Sequence, residues 1–139
     1  MSIIPVGAAE VAAATDGPRL WWFVPDAYIP PASTAPEQSH ESICVLNRRA
    51  DAATFMVTAY FADREPEHSL PITIPGRRAL HLRTDVPDLI GGLHIERGVP
   101  YALEIESNAD LQVQYSRLDT TQPAYSLMTA LLPSTHTPA

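Results

Sequence analysis

Apolar and polar residues alternate with a period of two along most of this chain. Over residues 53–61, Phe55, Val57, Ala59 and Phe61 fall on one side, and Thr54, Met56, Thr58 and Tyr60 on the other. That period belongs to a β-strand, whose successive side chains point to opposite faces. The same reading predicts strands at 19–24 (Leu20-Trp21-Trp22-Phe23-Val24) and 40–47. Leu70, Ile72 and Ile74 mark a short strand, in which Pro71 lacks a donor and suits an edge. Further strands follow at 78–84, at 101–106 (Tyr101, Leu103 and Ile105 in phase), at 111–117 (Leu111, Val113 and Tyr115 in phase) and at 124–132. Between them lie Asn47-Arg48-Arg49-Ala50-Asp51, Pro75-Gly76, the Pro- and Gly-containing stretch 85–92 and Ser107-Asn108-Ala109-Asp110, all rich in turn formers. Seven to nine short strands at this spacing predict an all-β, single-domain sandwich or barrel.

The ends do not follow the pattern. Residues 1–18 contain an Ala-rich run broken by Asp16-Gly17-Pro18 and are expected to form a flexible N-terminal extension. Residues 134–139 are Ser-, Thr- and Pro-containing and are expected to be a mobile tail. The β domain is therefore placed at 19–133.

Composition supports this division. A length of 139 residues allows one domain with a real core, and 14 prolines suit many turns better than helices. The net charge is −7, and all nine cations are arginines. A surface of that sign repels phosphates, so a general nucleic-acid binder is not expected, despite the local group Arg48, Arg49, Arg77 and Arg78. The single cysteine, Cys44, has no partner for an internal disulfide and reads as a small strand hydrophobe in a reducing compartment. No apolar run reaches the ~20 residues of a membrane span, and 3–14 lacks a basic leader segment. The expected location is the cytoplasm.

Chemistry-bearing residues collect at strand ends. Ser39-His40-Glu41-Ser42 opens the strand at 40–47, and Asp63-Arg64-Glu65-Pro66 closes the one at 53–61. If those two strands pair as a hairpin, His40, Glu41, Asp63, Arg64 and Glu65 converge on one rim. Carboxylates there accept hydroxyl hydrogen bonds and an arginine donates two, which suits a polyhydroxylated ligand. Trp22 and Tyr28 offer apolar faces for a sugar or planar ligand. Arg117 and Asp119 add a donor and an acceptor from the end of another strand. Each grouping has a structural alternative, as a core ring, a loop salt bridge or a turn.

Catalysis is less well supported. His40, Glu41 and Ser42 are consecutive on a strand and point to opposite faces, so they cannot form a triad among themselves. Asp63 and Glu65 are the carboxylate pair a small glycoside hydrolase would need. Arg64 between them favours ionised acceptors over a proton donor. His40, His68, His81, His94 and His136 lack metal-ligand spacing. No enzyme activity, metal or cofactor is expected.

Several of these segments together resemble the sensory rhodopsin transducer family. They are Trp22 through Tyr28-Ile29-Pro30-Pro31; Ser39 through Asn47; Tyr60 through Asp63-Arg64-Glu65-Pro66; Pro75-Gly76-Arg77-Arg78 with the strand at His81–Arg83; Ile105-Glu106-Ser107-Asn108; and Gln114-Tyr115-Ser116-Arg117-Leu118-Asp119. They run in order from about residue 20 to 132. The resemblance implies a jelly-roll-like β-sandwich that assembles as a homotetramer and is soluble and cytoplasmic. It implies a small-molecule binding or signalling module, with sugars or their derivatives as the ligand class. The alternative it implies is a soluble adaptor of a membrane sensory rhodopsin. The chain departs from the family pattern in its N-terminal segment, in Asp26-Ala27 where the family has an acidic residue and Gly, and in Tyr115 where the founding member has a histidine.

Overall fold

The alternating segments form ten antiparallel strands in the computed structural model, which describes residues 19–136. They are β1 (Leu20–Ala27), β2 (His40–Asn47), β3 (Ala53–Tyr60), β4 (Glu67–His68), β5 (Ile72–Ile74), β6 (Arg78–Arg83), β7 (Tyr101–Ser107), β8 (Gln112–Asp119), β9 (Ser126–Leu132) and β10 (Thr135–His136). Pro87–Leu89 makes one 3₁₀ turn. The strands form two sheets. One has the order β10-β1-β7-β3-β4, with β5 also paired to β3; the other has the order β6-β2-β8-β9. Chain order crosses repeatedly between the sheets, giving the jelly-roll-like sandwich expected from the sequence.

The core is the sum of the in-phase apolar positions. Trp22, Val24, Phe55, Val57, Leu103 and Ile105 from one sheet face Ile43, Val45, Val113 and Tyr115 from the other, all buried, with Leu111 just before β8 buried beside them. Burying one such aliphatic side chain stabilises the fold by about 1.5–3 kcal/mol. The alternation at 53–61 holds, with Phe55, Val57 and Ala59 inward.

One pairing differs from expectation. β2 and β3 do not form a hairpin. β2 pairs with β6 and β8, while β3 pairs with β7, β4 and β5. Both strands carry a full apolar face, and each covers the other's sheet across the core. The corner between them is built by the Asn47 side chain. Its amide donates to the Asp51 carbonyl at 2.9 Å and the Pro75 carbonyl at 3.2 Å, and its Oδ1 accepts from the Arg49 amide at 3.1 Å. Those bonds turn the chain from one sheet to the other instead of back along β2.

The extension expected at 1–18 lies outside the described residues. Within the segment assigned to the tail, Thr135 and His136 pair with Trp21 and Leu20 as β10. β1 runs past the expected end at Val24. Its register with β7 goes from Val24↔Leu103 to Ala27↔Tyr101, so Pro25 and Asp26 form a bulge. A bulge leaves one residue unpaired and re-aims the strand end. Here it aims Asp26 outward and keeps Ala27 buried.

Candidate functional site

The strongest chemical feature is a carboxylate between the sheets. Glu41 is in phase with Ile43 and Val45 on β2, so the pleat points it inward, and it is completely buried. Donors surround it. The Tyr28 amide donates to Oε2 at 2.8 Å, and the Tyr101 hydroxyl from β7 donates to Oε1 at 2.5 Å. The Tyr115 hydroxyl from β8 also donates to Oε2, and Arg117 Nε lies 3.3 Å from the same oxygen. A buried charge is tolerated when it is paired and hydrogen-bonded in this way. Desolvation pushes the Glu41 carboxyl above its ordinary value, against the opposing pull of Tyr101, the Tyr28 amide and Arg117. Burial and the neighbouring Glu41 charge together push the Tyr101 phenol strongly upward, so it stays a donor.

This cluster ties the two sheets to the loop after β1. Arg117 reaches onward to the Asp26 carbonyl at 3.1 Å, with the Asp26 carboxylate at 3.8 Å. A second arginine clamps the same loop. Arg97 donates to the Pro30 and Ser39 carbonyls at 3.2 and 2.7 Å and pairs with Asp85 at 3.1 Å. Asp85 also takes a two-pronged contact from Arg83, at 2.9 and 2.7 Å. Its carboxyl is held below the ordinary range because the Arg83 hydrogen bonds and the two arginine charges outweigh its desolvation.

Outside the buried cluster lies an open hollow of about 330 Å³, lined by Pro25, Asp26, Tyr60, Phe61, Ala62, Pro100, Tyr101 and Ala102. Phe61 stacks on Tyr101 with ring centroids 6.3 Å apart. The Arg64 guanidinium sits 3.7 Å over the Phe61 ring, a cation–π contact. Arg64 is also 3.5 Å from Asp63 and 3.9 Å from Glu67. The hollow thus joins aromatic side chains and the outward carboxylate of Asp26, and Arg64 lies behind its lining, over the Phe61 ring.

The candidate residues divide accordingly. Glu41, Arg117 and the Tyr28 backbone meet in the buried cluster. Arg64 reaches the hollow through Phe61, while Asp63 and Glu65 are exposed on the loop beside it. His40 points away from Glu41, as neighbours on a strand must, and its Nδ1 lies 3.0 Å from the Gln38 carbonyl. Asp119 accepts from the Thr121 amide and hydroxyl at 2.9 and 2.6 Å, which closes a turn. Trp22 is in the core and lines a separate hollow of about 270 Å³ with Leu111 and Leu131. Asp26, Phe61, Tyr101 and Tyr115 were not singled out as site residues. For the two tyrosines a signal was present: each is in phase with the apolar residues of its strand.

These features define a class: a two-sheet β-sandwich whose end is locked by a buried carboxylate, two tyrosines and an arginine, beneath an aromatic-lined hollow. Residues 17–132 match the family described as Anabaena sensory rhodopsin transducer, and the chain belongs to that family. Among solved structures, that of Thermotoga maritima 1070 is 35% identical with a TM-score of 0.72, covering 86% of this chain and 96% of the other. The Anabaena sensory rhodopsin transducer is 34% identical with a TM-score of 0.58, covering 73% and 98%. No curated protein sequence matches significantly. At the departures noted in the sequence, Tyr115 is a direct donor to Glu41, and Ala27 has no left-handed φ that would call for glycine.

Proposed function

We propose that this protein is a non-catalytic small-molecule binding or signalling module that takes a polyhydroxylated, sugar-like ligand in the hollow at the Asp26–Phe61–Tyr101 end of the sandwich. One observation carries the reading. The outward Asp26 carboxylate shares the hollow with Tyr60, Phe61 and Tyr101, and Arg64 is held next to it by its contact with the Phe61 ring. Rings cover the C–H face of a sugar, while the arginine and carboxylate take its hydroxyls. The Asp63–Arg64 ion pair favours binding over acid–base cleavage by Asp63 and Glu65, the glycoside hydrolase alternative. The module works as a cytoplasmic homo-oligomer, a tetramer. Differential scanning fluorimetry with neutral hexoses and with hexuronic acids tests the site. Arg64→Ala and Asp26→Ala should abolish a ligand-induced rise in melting temperature while the unliganded melt stays within a few degrees. Responses unchanged in both variants would refute the site, as would turnover of aryl glycosides lost with Asp63→Asn.

A second reading rests on the likeness to the Anabaena sensory rhodopsin transducer. In it the protein is a soluble adaptor of a membrane photoreceptor. Co-purification with a microbial rhodopsin in detergent, sensitive to illumination, would favour it over the ligand-binding reading.

A further inference from the structure

Two corners cross the end of the sandwich opposite the hollow. Residues 48–52 carry the chain from β2 in one sheet to β3 in the other, and residues 75–77 carry it back from β5 to β6. The corners lie side by side, with the Arg77 amide donating to the Arg49 carbonyl at 2.9 Å. Arg48 and Arg49 on one corner therefore meet Arg77 and Arg78 on the other, and all four are exposed. The ion pairs among the described residues belong to Arg19, Arg64, Arg83, Arg97 and Arg117, and none to these four. The Arg78 side chain bonds only the Gly76 and Arg77 carbonyls of its own turn, both through Nη1. Asp51 and Asp110 are the carboxylates on the turns at this end, both exposed and neither paired. Arg77 is also the one non-glycine among the described residues with a positive φ, at 55°. A long side chain seldom adopts that conformation, and backbone strain of this kind collects where a residue serves something other than stability.

We propose that this four-arginine corner binds the polyphosphate group of a small anion, inorganic tripolyphosphate or a nucleoside triphosphate being the class. The site is independent of the ligand reading above, since β2 separates the corner from the Glu41 end by about 20 Å. Each guanidinium presents a planar fork that takes two phosphate oxygens, and every cation here is an arginine. One phosphate is too small to engage forks from both corners, whereas a chain of two or three phosphates spans them. Charge sets the size of the ligand. Four of the nine cations of a chain with net charge −7 sit on this corner, so the rest of the chain is more acidic than the whole. An extended polyanion, such as a nucleic-acid duplex or an anionic bilayer, brings its phosphates against that acidic remainder. A compact anion meets the arginines alone.

Isothermal titration calorimetry on the full chain, on Arg49→Ser and on Arg77→Gly tests the proposal, with sodium tripolyphosphate, orthophosphate and ATP as probes. Tripolyphosphate should bind at least about ten-fold more tightly than orthophosphate, and each substitution should weaken it about ten-fold. Arg77→Gly suits the left-handed backbone, so its melting temperature should hold or rise while affinity falls, which separates lost binding from lost folding. Arg49 joins the corner through its main chain, so Arg49→Ser supplies a second folded variant. Equal affinity for tripolyphosphate and ATP would assign recognition to the phosphates alone, and tighter binding of ATP would add the nucleoside to the site. Absence of tripolyphosphate binding, or binding unchanged in both variants, would overturn the site. Tighter binding of a short DNA duplex or of phosphatidylglycerol vesicles than of tripolyphosphate would overturn the compact ligand.

Discussion

Removing the Glu41 carboxylate should be among the most damaging single changes to this fold. Glu41→Ala strips the acceptor from four donors. Two of them have fallbacks: Tyr101 can turn to Thr84 Oγ1 at 3.4 Å, and Arg117 keeps the Asp26 carbonyl at 3.1 Å. The Tyr28 amide and the Tyr115 hydroxyl lose the acceptor they have here. At about 1–3 kcal/mol for each orphaned donor, the expected loss is about 4 kcal/mol, in line with breaking a buried ion pair. That is a large share of a total stability of about 5–15 kcal/mol. Urea unfolding followed by tryptophan fluorescence reads it directly. With a slope of ~1.5–2 kcal/mol per molar, the midpoint should fall by about 2–3 M. Glu41→Gln should lose less, about 1–3 kcal/mol. Its amide oxygen can occupy the Oε2 position and keep the Tyr28 and Tyr115 bonds, while its NH₂ donates to Tyr101. A Glu41→Ala loss below about 1 kcal/mol, or a Glu41→Gln loss equal to it, would refute the argument that satisfied donors hold the sheets together here.

Other outcomes follow from the same structure. As pH rises above the ordinary glutamate value of 4.5, unfolded Glu41 releases its proton while folded Glu41 retains it. The folded state then binds more protons, so stability should fall with rising pH until the folded value is passed, and Glu41→Gln should flatten that slope in urea melts across pH 4–8. Asp85 acts in the opposite direction: its folded value lies below 3.8, so its contribution is lost as pH falls through that lower range, and Asp85→Asn should shrink the acid-side loss. Gly76→Ala should destabilise by about 3 kcal/mol, since backbone cannot move aside as a side chain can. The new Cβ would lie 1.9 Å from the Ala50 carbonyl oxygen, and a normal unfolding midpoint would contradict that contact. A chain of residues 17–136, which contains the whole family match, should melt within a few degrees of the full chain, corresponding to less than ~1 kcal/mol, and failure to fold would place essential contacts before residue 17 or after residue 136.

Strand positions were legible because burial and period two coincide in this chain. The apolar run Ile43-Cys44-Val45-Leu46 between His40 and Asn47 predicts a strand with the bounds that β2 has. The end of β1 was not legible, because Pro25 and Asp26 look like a strand stop and are instead a bulge that pairing resumes beyond. Pairing was harder still. A short polar turn between two strands reads as a hairpin, and only the side-chain bonds of Asn47 reveal a corner between sheets. Glu41 illustrates the same limit. Its phase with Ile43 and Val45 pointed inward, but a lone carboxylate reads as surface until Tyr101, Tyr115 and Arg117, distant in sequence, are brought to it.

The alternation of strands between sheets sets a schedule for the nascent chain. β7 is the central strand that joins β1 to β3, and β8 joins β2 to β9. Before residue 101 has been made, the only strand pairs available among the described residues are β2 with β6 and β3 with β4 and β5, and β1 has no partner. Neither sheet can close from a contiguous piece of chain. At a synthesis rate of ~5–20 residues per second, the earlier apolar strands wait seconds for the segment that completes them. Folding is therefore tied to the arrival of Tyr101–Asp119. Ribosome-bound chains ending before Tyr101 should remain protease-sensitive and depend on chaperones, and those that have exposed Asp119 should not.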